Sequence, residues 1–319
     1  MGQEFLEFIK YQKALGYTKG NEVLSLSKEN INILNYLNKY TLDINFKLKS
    51  ISENTLKEVT KECLNNYFKL HNVKKLIADY SFPSKRKIFG FQINKAWNNC
   101  LKEVEPYSIP INYLNKDRNF GYLVTACPKL EKNINFKIAN VGMIAILLDS
   151  ELTPFSITSY AHELIHTQLE DKRVYTNNYY NKEILSRFIE LLVSYTISND
   201  EKYKTLNIGN ISLGTMSIID NMNFLKNDLN TLMNVENLAN INDEKYIFLI
   251  EISTYVNSML VALELFDNYL NAFCNEKRKI IYGIQEVLDG KITIEELLGQ
   301  NKIGKTPGKR LEIVRKWVR

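Results

Sequence analysis

The sequence predicts a mainly α fold carrying one small β-sheet, and three observations predict it. Prolines number only 6 in 319 residues, so few positions interrupt a helix. Apolar residues recur at spacings of three and four over most of the chain, the pattern that lines one face of a helix. Between Asp117 and Asp149 this period gives way to two short runs of β-forming residues bounded by Gly, Pro and Asn.

The composition sets the class before any element is placed. With 45% hydrophobic and 24% charged residues, the chain has the make-up of a soluble globular protein with a sizeable core. Its net charge of +5 is the balance of 41 basic against 36 acidic residues, too mixed to predict a nucleic-acid partner. The basic runs "KEVTKECLNNYFKLHNVKK" and "GKRLEIVRKWVR" are expected to be solvated helix faces. Cys63, Cys100, Cys127 and Cys274 show no pairing interval, as expected of reduced thiols in a cytoplasmic protein. No apolar run reaches the length of a membrane span or of a signal peptide, and Leu6 stands where myristoylation needs a hydroxyl residue. The oligomeric state is not encoded in any recognisable pattern.

The elements follow in order. Residues 1–97 form an expected N-terminal helical lobe, with Phe5, Phe8 and Ile9 on one helix face and Ile31, Leu34 and Leu37 on another. Ser27, followed by acidic residues, is the expected cap of the second of these helices. "SFPSKRKIFGF", with Pro83 and Gly90, marks a loop ahead of a second domain, 98–319. "FGYLVTACP" and "VGMIAILLD" are the two expected strands, paired in a sheet at about 117–149. After Pro154 the helical period returns and holds to the end, broken at Asn207 to Gly214, at Asn240 to Asp243 and at Asp289-Gly290.

The first helix of that series contains "HELIH", which uses two of the chain's three histidines. Residues four apart share a helix face, so His162 and His166 can both point at one ion, and Glu163 sits beside the first of them as a candidate general base for a zinc-activated water. Taken alone, the pentapeptide also fits a solvated helix that carries these residues by coincidence. A catalytic zinc keeps three protein ligands and one open position, so a third ligand is needed. Glu170 is two turns along the axis from His162, and with Asp171 it continues the same helix, which is poor geometry for one tetrahedron. The next helix, "KEILSRFIELLVSYTI", offers Glu183, Ser186 and Glu190 on one stripe, with Ile184, Phe188, Leu191 and Leu192 opposite. Either carboxylate alone reads as an exposed face. Beside the HExxH helix, Glu183 reads as the third ligand, with Ser186 and Glu190 supporting it.

From about Asp117 to Tyr269 these residues resemble the M3 zinc oligopeptidases, the thimet oligopeptidase and oligoendopeptidase F type. The likeness lies in the order strand pair, "TSYAHELIHTQLE", then Glu183-x-x-Ser186-x-x-x-Glu190. It implies a helical, gluzincin-like zincin domain with a small sheet beside the HExxH helix. It further implies one Zn2+ per chain on His162, His166 and Glu183, with Glu190 as a supporting acid. In the family, later helices supply a histidine and tyrosines to the tetrahedral intermediate; here "EKYIFLIEISTYVNSMLVALELF" offers Tyr255 and, second to it, Tyr246, with Lys245 about where the histidine falls.

The function expected is that of a zinc-dependent metalloendopeptidase acting on short or unstructured peptides. Its substrate would add a strand to the edge of Val141 to Leu148, against Gly142, Met143, Ile144 and Ala145. Two alternatives accompany it. The short chain suggests a processing peptidase dedicated to one leader or signalling peptide, and the missing histidine suggests a catalytically weak, metal-dependent peptide-binding protein.

Overall fold

The computed structural model describes residues 27–40, 50–70, 122–127, 143–148, 153–170, 179–206, 213–234 and 243–318. Their elements are α1 (Lys28–Leu37), α2 (Glu53–Asn65), β1 (Tyr122–Cys127), β2 (Met143–Leu148), α3 (Pro154–Glu170), α4 (Tyr179–Asn199), a 3-10 turn (Glu201–Leu206), α5 (Leu213–Met233), α6 (Asp243–Asn271), α7 (Cys274–Leu288), α8 (Ile294–Gln300) and α9 (Lys309–Trp317). The described chain is mainly α. Among the described residues no helix is long and apolar enough to cross a membrane.

Local chemistry sets the helix ends. Ser27 caps α1 by accepting from the Asn30 amide at 3.1 Å, the role its place in the sequence predicts. Ser52 does the same for α2, accepting from Thr55 at 3.1 Å. Pro154 opens α3, where its missing N–H leaves no helical bond unmade. The break at 289–290 falls between α7 and α8, while those expected at 207–214 and 240–243 lie mostly outside the described residues. At the first of these Gly290 takes φ 71°, a left-handed value that glycine adopts without steric cost. α4 starts at Tyr179, three residues before the sequence period begins at Lys182. Nothing in Tyr179-Tyr180-Asn181 breaks a helix, so the turn propagates upstream.

β1 and β2 pair antiparallel, Tyr122 opposite Leu148 and Cys127 opposite Met143, and α3 lies against both. Gly142 and the remainder of the 117–149 segment lie outside the described residues, as does the whole "SFPSKRKIFGF" loop.

The helices pack around α4, which contacts α2, α3, α5 and α6. Phe188 of α4 is fully buried, edge-on to Phe266 at 6.0 Å and to Tyr269 at 6.1 Å on α6. Edge-to-face rings at this spacing add to the area they bury. Phe266 in turn stacks on Trp317 of α9 at 6.4 Å. Buried residues of α1 and α2, such as Ile33, Leu37 and Leu56, belong to the same core as Leu164, Phe188 and Val314. The described helices on either side of the 97/98 division therefore share one apolar interior. Cys63 within it is a free thiol, and burial pushes it up to about 12; Cys274 is free and exposed.

The α4–α5 seam is built from small polar residues. Ser194 and Ser217 lie Oγ to Oγ at 2.9 Å, and Ser198 accepts from the Gly214 amide. A β-carbon on Gly214 would stand 2.9 Å from Ser198 Oγ and 3.4 Å from the Ser194 carbonyl, so the two backbones come this close only because position 214 has no side chain.

The C-terminal basic run corrects an expectation in part. "GKRLEIVRKWVR" keeps Lys316 exposed and Arg315 paired with exposed Glu312, but Arg310 and Lys316 also meet acids of α6 that the core buries. Arg310 Nε donates to Glu264 Oε2 at 3.0 Å, Lys316 Nζ meets Asp267 Oδ1 at 2.6 Å, and Lys309 Nζ donates to Asn268 at 2.6 Å. Glu264 is only 1% exposed and takes its other bond from the Gly304 amide at 3.0 Å. The Arg310 amide also donates to Glu29 at 3.1 Å, tying α9 to α1.

Two stability outcomes follow from this packing. Arg310→Ala leaves Glu264 buried without a cation and should lower the unfolding free energy by about 3–5 kcal/mol, read as a lower urea midpoint at unchanged slope. Gly214→Ala should cost about 1–3 kcal/mol by the same measurement, because the seam must open to admit the methyl group; an unchanged midpoint would mean the seam relaxes freely.

Candidate metal centre

The centre is assembled where α3 crosses α4. On α3, Ile157, Tyr160, Ala161, Leu164 and Ile165 are buried, which presses the helix into the core and carries His162 in with it. His162 is 8% exposed, low enough that each ring nitrogen needs a partner within the protein. The backbone of α3 runs unbroken through Glu163 and His166, one turn beyond His162. Their side chains lie outside the described residues.

On α4, Glu183, Ser186 and Glu190 are all buried, as are Ile184, Phe188, Leu191 and Leu192 on the opposite stripe. The helix is thus enclosed on both sides, and its carboxylates are inside the protein. Glu183 Oε2 lies 3.5 Å from His162 Nε2, while Glu190 Oε2 lies 3.3 Å from Nδ1 of the same ring. The two carboxylates therefore face opposite nitrogens of one imidazole, at ion-pair distances and, among the described residues, without aligned hydrogen bonds at Nδ1 or at Glu183 Oε2.

These distances test whether the residues suit a metal ion. Two donors each about 2.1 Å from a tetrahedral ion stand about 3.4 Å apart, so the 3.5 Å between Nε2 and Glu183 suits a pair of ligands to one ion. A carboxylate on the far nitrogen is what orients a metal-ligating histidine. Among the described residues no group of three or more His, Cys, Asp and Glu side chains could hold a metal ion. The described part of the centre is the pair His162 and Glu183, and His166, its expected companion, falls outside it.

Arg187 is a member of the site that sequence reasoning missed. Its Nη1 donates to Glu190 Oε2 at 2.9 Å and to Asn221 Oδ1 of α5 at 3.4 Å. Its guanidinium lies 6.0 Å from the ring centre of Tyr255 on α6. A signal was available, since Arg187 falls four residues after Glu183 and three before Glu190, the spacings at which helix charges meet. Asn221 had none; it comes from a helix whose sequence carries no recognisable pattern.

The remaining expected residues divide. Tyr255 is half-buried beside Arg187 and so borders the centre. Tyr246 has its side chain outside the described residues. Nine residues separate the two along the continuous helix α6, which puts them about 13.5 Å apart along the axis and half a turn out of phase, so they do not serve one point together. Ser186 is fully buried, and its Oγ has no hydrogen-bond partner among the described residues. Met143, Ile144 and Ala145 lie in β2, with backbone paired to Cys127, Ala126 and Thr125.

The charges are strongly coupled. Burial works against an imidazolium at His162, but Glu183 and then Glu190 outweigh it and hold the group up at about 9. Burial likewise opposes the Glu190 carboxylate, yet Arg187 and His162 keep it below the ordinary range. Arg187 is raised by Glu190 and Glu183 in spite of its own burial. On α5, burial and then the nearby Glu190 charge push Asp220 up to about 6.

No protein family, curated protein or solved structure matches the chain.

Asp220 makes the pH dependence testable. Its folded value of about 6 lies above the ordinary 3.8, so between these values the folded chain holds a proton that the unfolded chain has lost. Its contribution to stability is therefore largest below 3.8 and is lost as the pH rises through about 6. The stability of wild type relative to Asp220→Asn should improve as the pH falls from 7 to 4, read from paired thermal melts; a constant difference would refute the shift.

Proposed function

We propose that this chain is a zinc-dependent metallopeptidase with a gluzincin-like helical fold, acting on short or unstructured peptides in the cytoplasm. The observation that carries the proposal is His162, on the helix that reads HExxH, with Glu183 3.5 Å from its Nε2 and Glu190 3.3 Å from its Nδ1. One Zn2+ per chain would be held by His162, His166 and Glu183. When bound, the ion polarises a scissile carbonyl and makes an attacking water acidic enough to ionise near neutral pH.

The chain's own residues would do the rest. Glu163, next to His162 on α3, takes the proton of the attacking water and passes it to the leaving amine. Glu190 would hold the Nδ1 proton of His162, while a bound ion would take the place of the Nε2 proton that the ring carries without it. Tyr255 is the candidate donor to the oxyanion, supported by its place beside Arg187 at the edge of the centre. β2 is bonded to β1 along one edge, and its other edge is the proposed seat for an extended substrate backbone. Such a strand addition selects unfolded peptides, because a folded chain has its backbone groups already paired.

The test is metal analysis and hydrolysis together. The purified protein should bind one zinc and cleave members of a quenched fluorescent peptide library. Glu163→Gln should keep the zinc and lose roughly 10²–10⁴-fold in kcat, the usual share of a general base, while His162→Ala, His166→Ala and Glu183→Ala should lose the metal. Absence of metal-dependent cleavage across a broad library would sink the peptidase assignment, and full zinc retention in Glu183→Ala would move the third ligand elsewhere.

A further inference from the structure

We propose that Arg187 is the positioning residue of this centre: by gripping Glu190 it sets that carboxylate on His162 Nδ1 and so leaves Nε2 turned toward Glu183 and the ion. The inference rests on the zinc assignment above and assigns the device that holds its geometry.

Glu183 and Glu190 are two buried carboxylates on one stripe of α4. Without a cation between them they would repel, and each would turn away from the helix crossing or take up a proton. Arg187 supplies that cation from the same stripe, so the acid-base-acid order at positions 183, 187 and 190 is carried by one rigid element. Its 2.9 Å bond engages Glu190 through Oε2, the oxygen that also lies 3.3 Å from His162 Nδ1. One oxygen thus connects the guanidinium to the imidazole, and a displacement of Arg187 is passed directly to the ring.

The guanidinium is itself fixed by two further helices. Asn221 of α5 accepts from Nη1 at 3.4 Å, and the Tyr255 ring of α6 lies 6.0 Å from the guanidinium carbon. Both hydrogen bonds leave from Nη1 while the guanidinium carbon lies over the Tyr255 ring, and a lysine ammonium supplies the charge without that flat group to set on the ring. A neutral imidazole carries one N–H. A carboxylate held at Nδ1 keeps the proton there, and Nε2 is then the nitrogen free to ligate. Arg187 touches neither the ion nor the substrate in this arrangement; it acts through Glu190.

The experiment measures Zn2+ affinity by chelator competition and the visible spectrum of the Co2+-substituted protein, neither of which depends on turnover. Arg187→Met should weaken Zn2+ binding by about 10–100-fold, the usual range for a residue supporting a metal-bound histidine, and should alter the Co2+ bands. Introduced into Glu190→Gln, the same change should add less than about twofold, because the route through Glu190 is already broken. Should Arg187→Met not fold, Arg187→Lys carries the test, with charge retained, a loss of a few-fold and a changed Co2+ spectrum expected. Unchanged affinity and spectrum in the folded Arg187 variants, or an equal loss with and without Glu190, would overturn the inference while leaving the zinc assignment intact. A wild-type protein that takes up neither Zn2+ nor Co2+ would instead overturn the assignment itself, and this inference with it.

Discussion

The crossing of α3 over α4 depends on one constraint: charges buried at its centre must be paired within the protein. His162 enters the core because its helix is pressed inward by Ile157, Tyr160, Leu164 and Ile165. Two carboxylates meet its two nitrogens, and Arg187 balances the carboxylates. Removing any one partner would strand another in a medium where an isolated charge is strongly disfavoured. The group therefore specifies the register of α3 on α4 more tightly than apolar packing alone, since leucines tolerate small slides that a bidirectional imidazole does not.

The same logic recurs on the other side of the core. Glu264 and Asp267 of α6 are buried, and their cations arrive from α9, near the far end of the described chain. The long helix α6 is thus charged on one side by the C-terminal helix and, through Tyr255, abuts the Arg187 network on another. The small-residue seam at Ser194, Ser198, Gly214 and Ser217 brings α5 close enough for Asn221 to reach Arg187. Apolar packing supplies the bulk of the core, while polar contacts at these few places decide which face of each helix meets which neighbour.

Several of these features were legible in residue order. The cap at Ser27, the start at Pro154 and the break before α8 are local, since a hydroxyl, a missing N–H or a left-handed glycine acts within one turn. The HExxH spacing and the Glu183–Glu190 stripe were legible because helical periodicity maps sequence distance onto a face. Arg187 was overlooked although its spacing was visible, because a cation on a helix is usually solvated and burial is not a local property. The C-terminal run was half legible for the same reason: its solvated side is plain from the charges, but the pairing of Arg310 with Glu264 and of Lys316 with Asp267 is not.

By itself, then, the sequence determined the helical character of the described chain, the ends of a few helices, and the side chains that one helix presents together. Tertiary structure alone decided that His162 sits between Glu183 and Glu190, that Arg187 and Asn221 join from two different helices, and that Arg310 and Lys316 of the basic terminus pair with acids of α6. The physical reason is range. Capping and periodicity act over a turn or two of helix, whereas the pairing of a buried charge depends on which residues, distant along the chain, are brought within a few ångströms of it when the core closes.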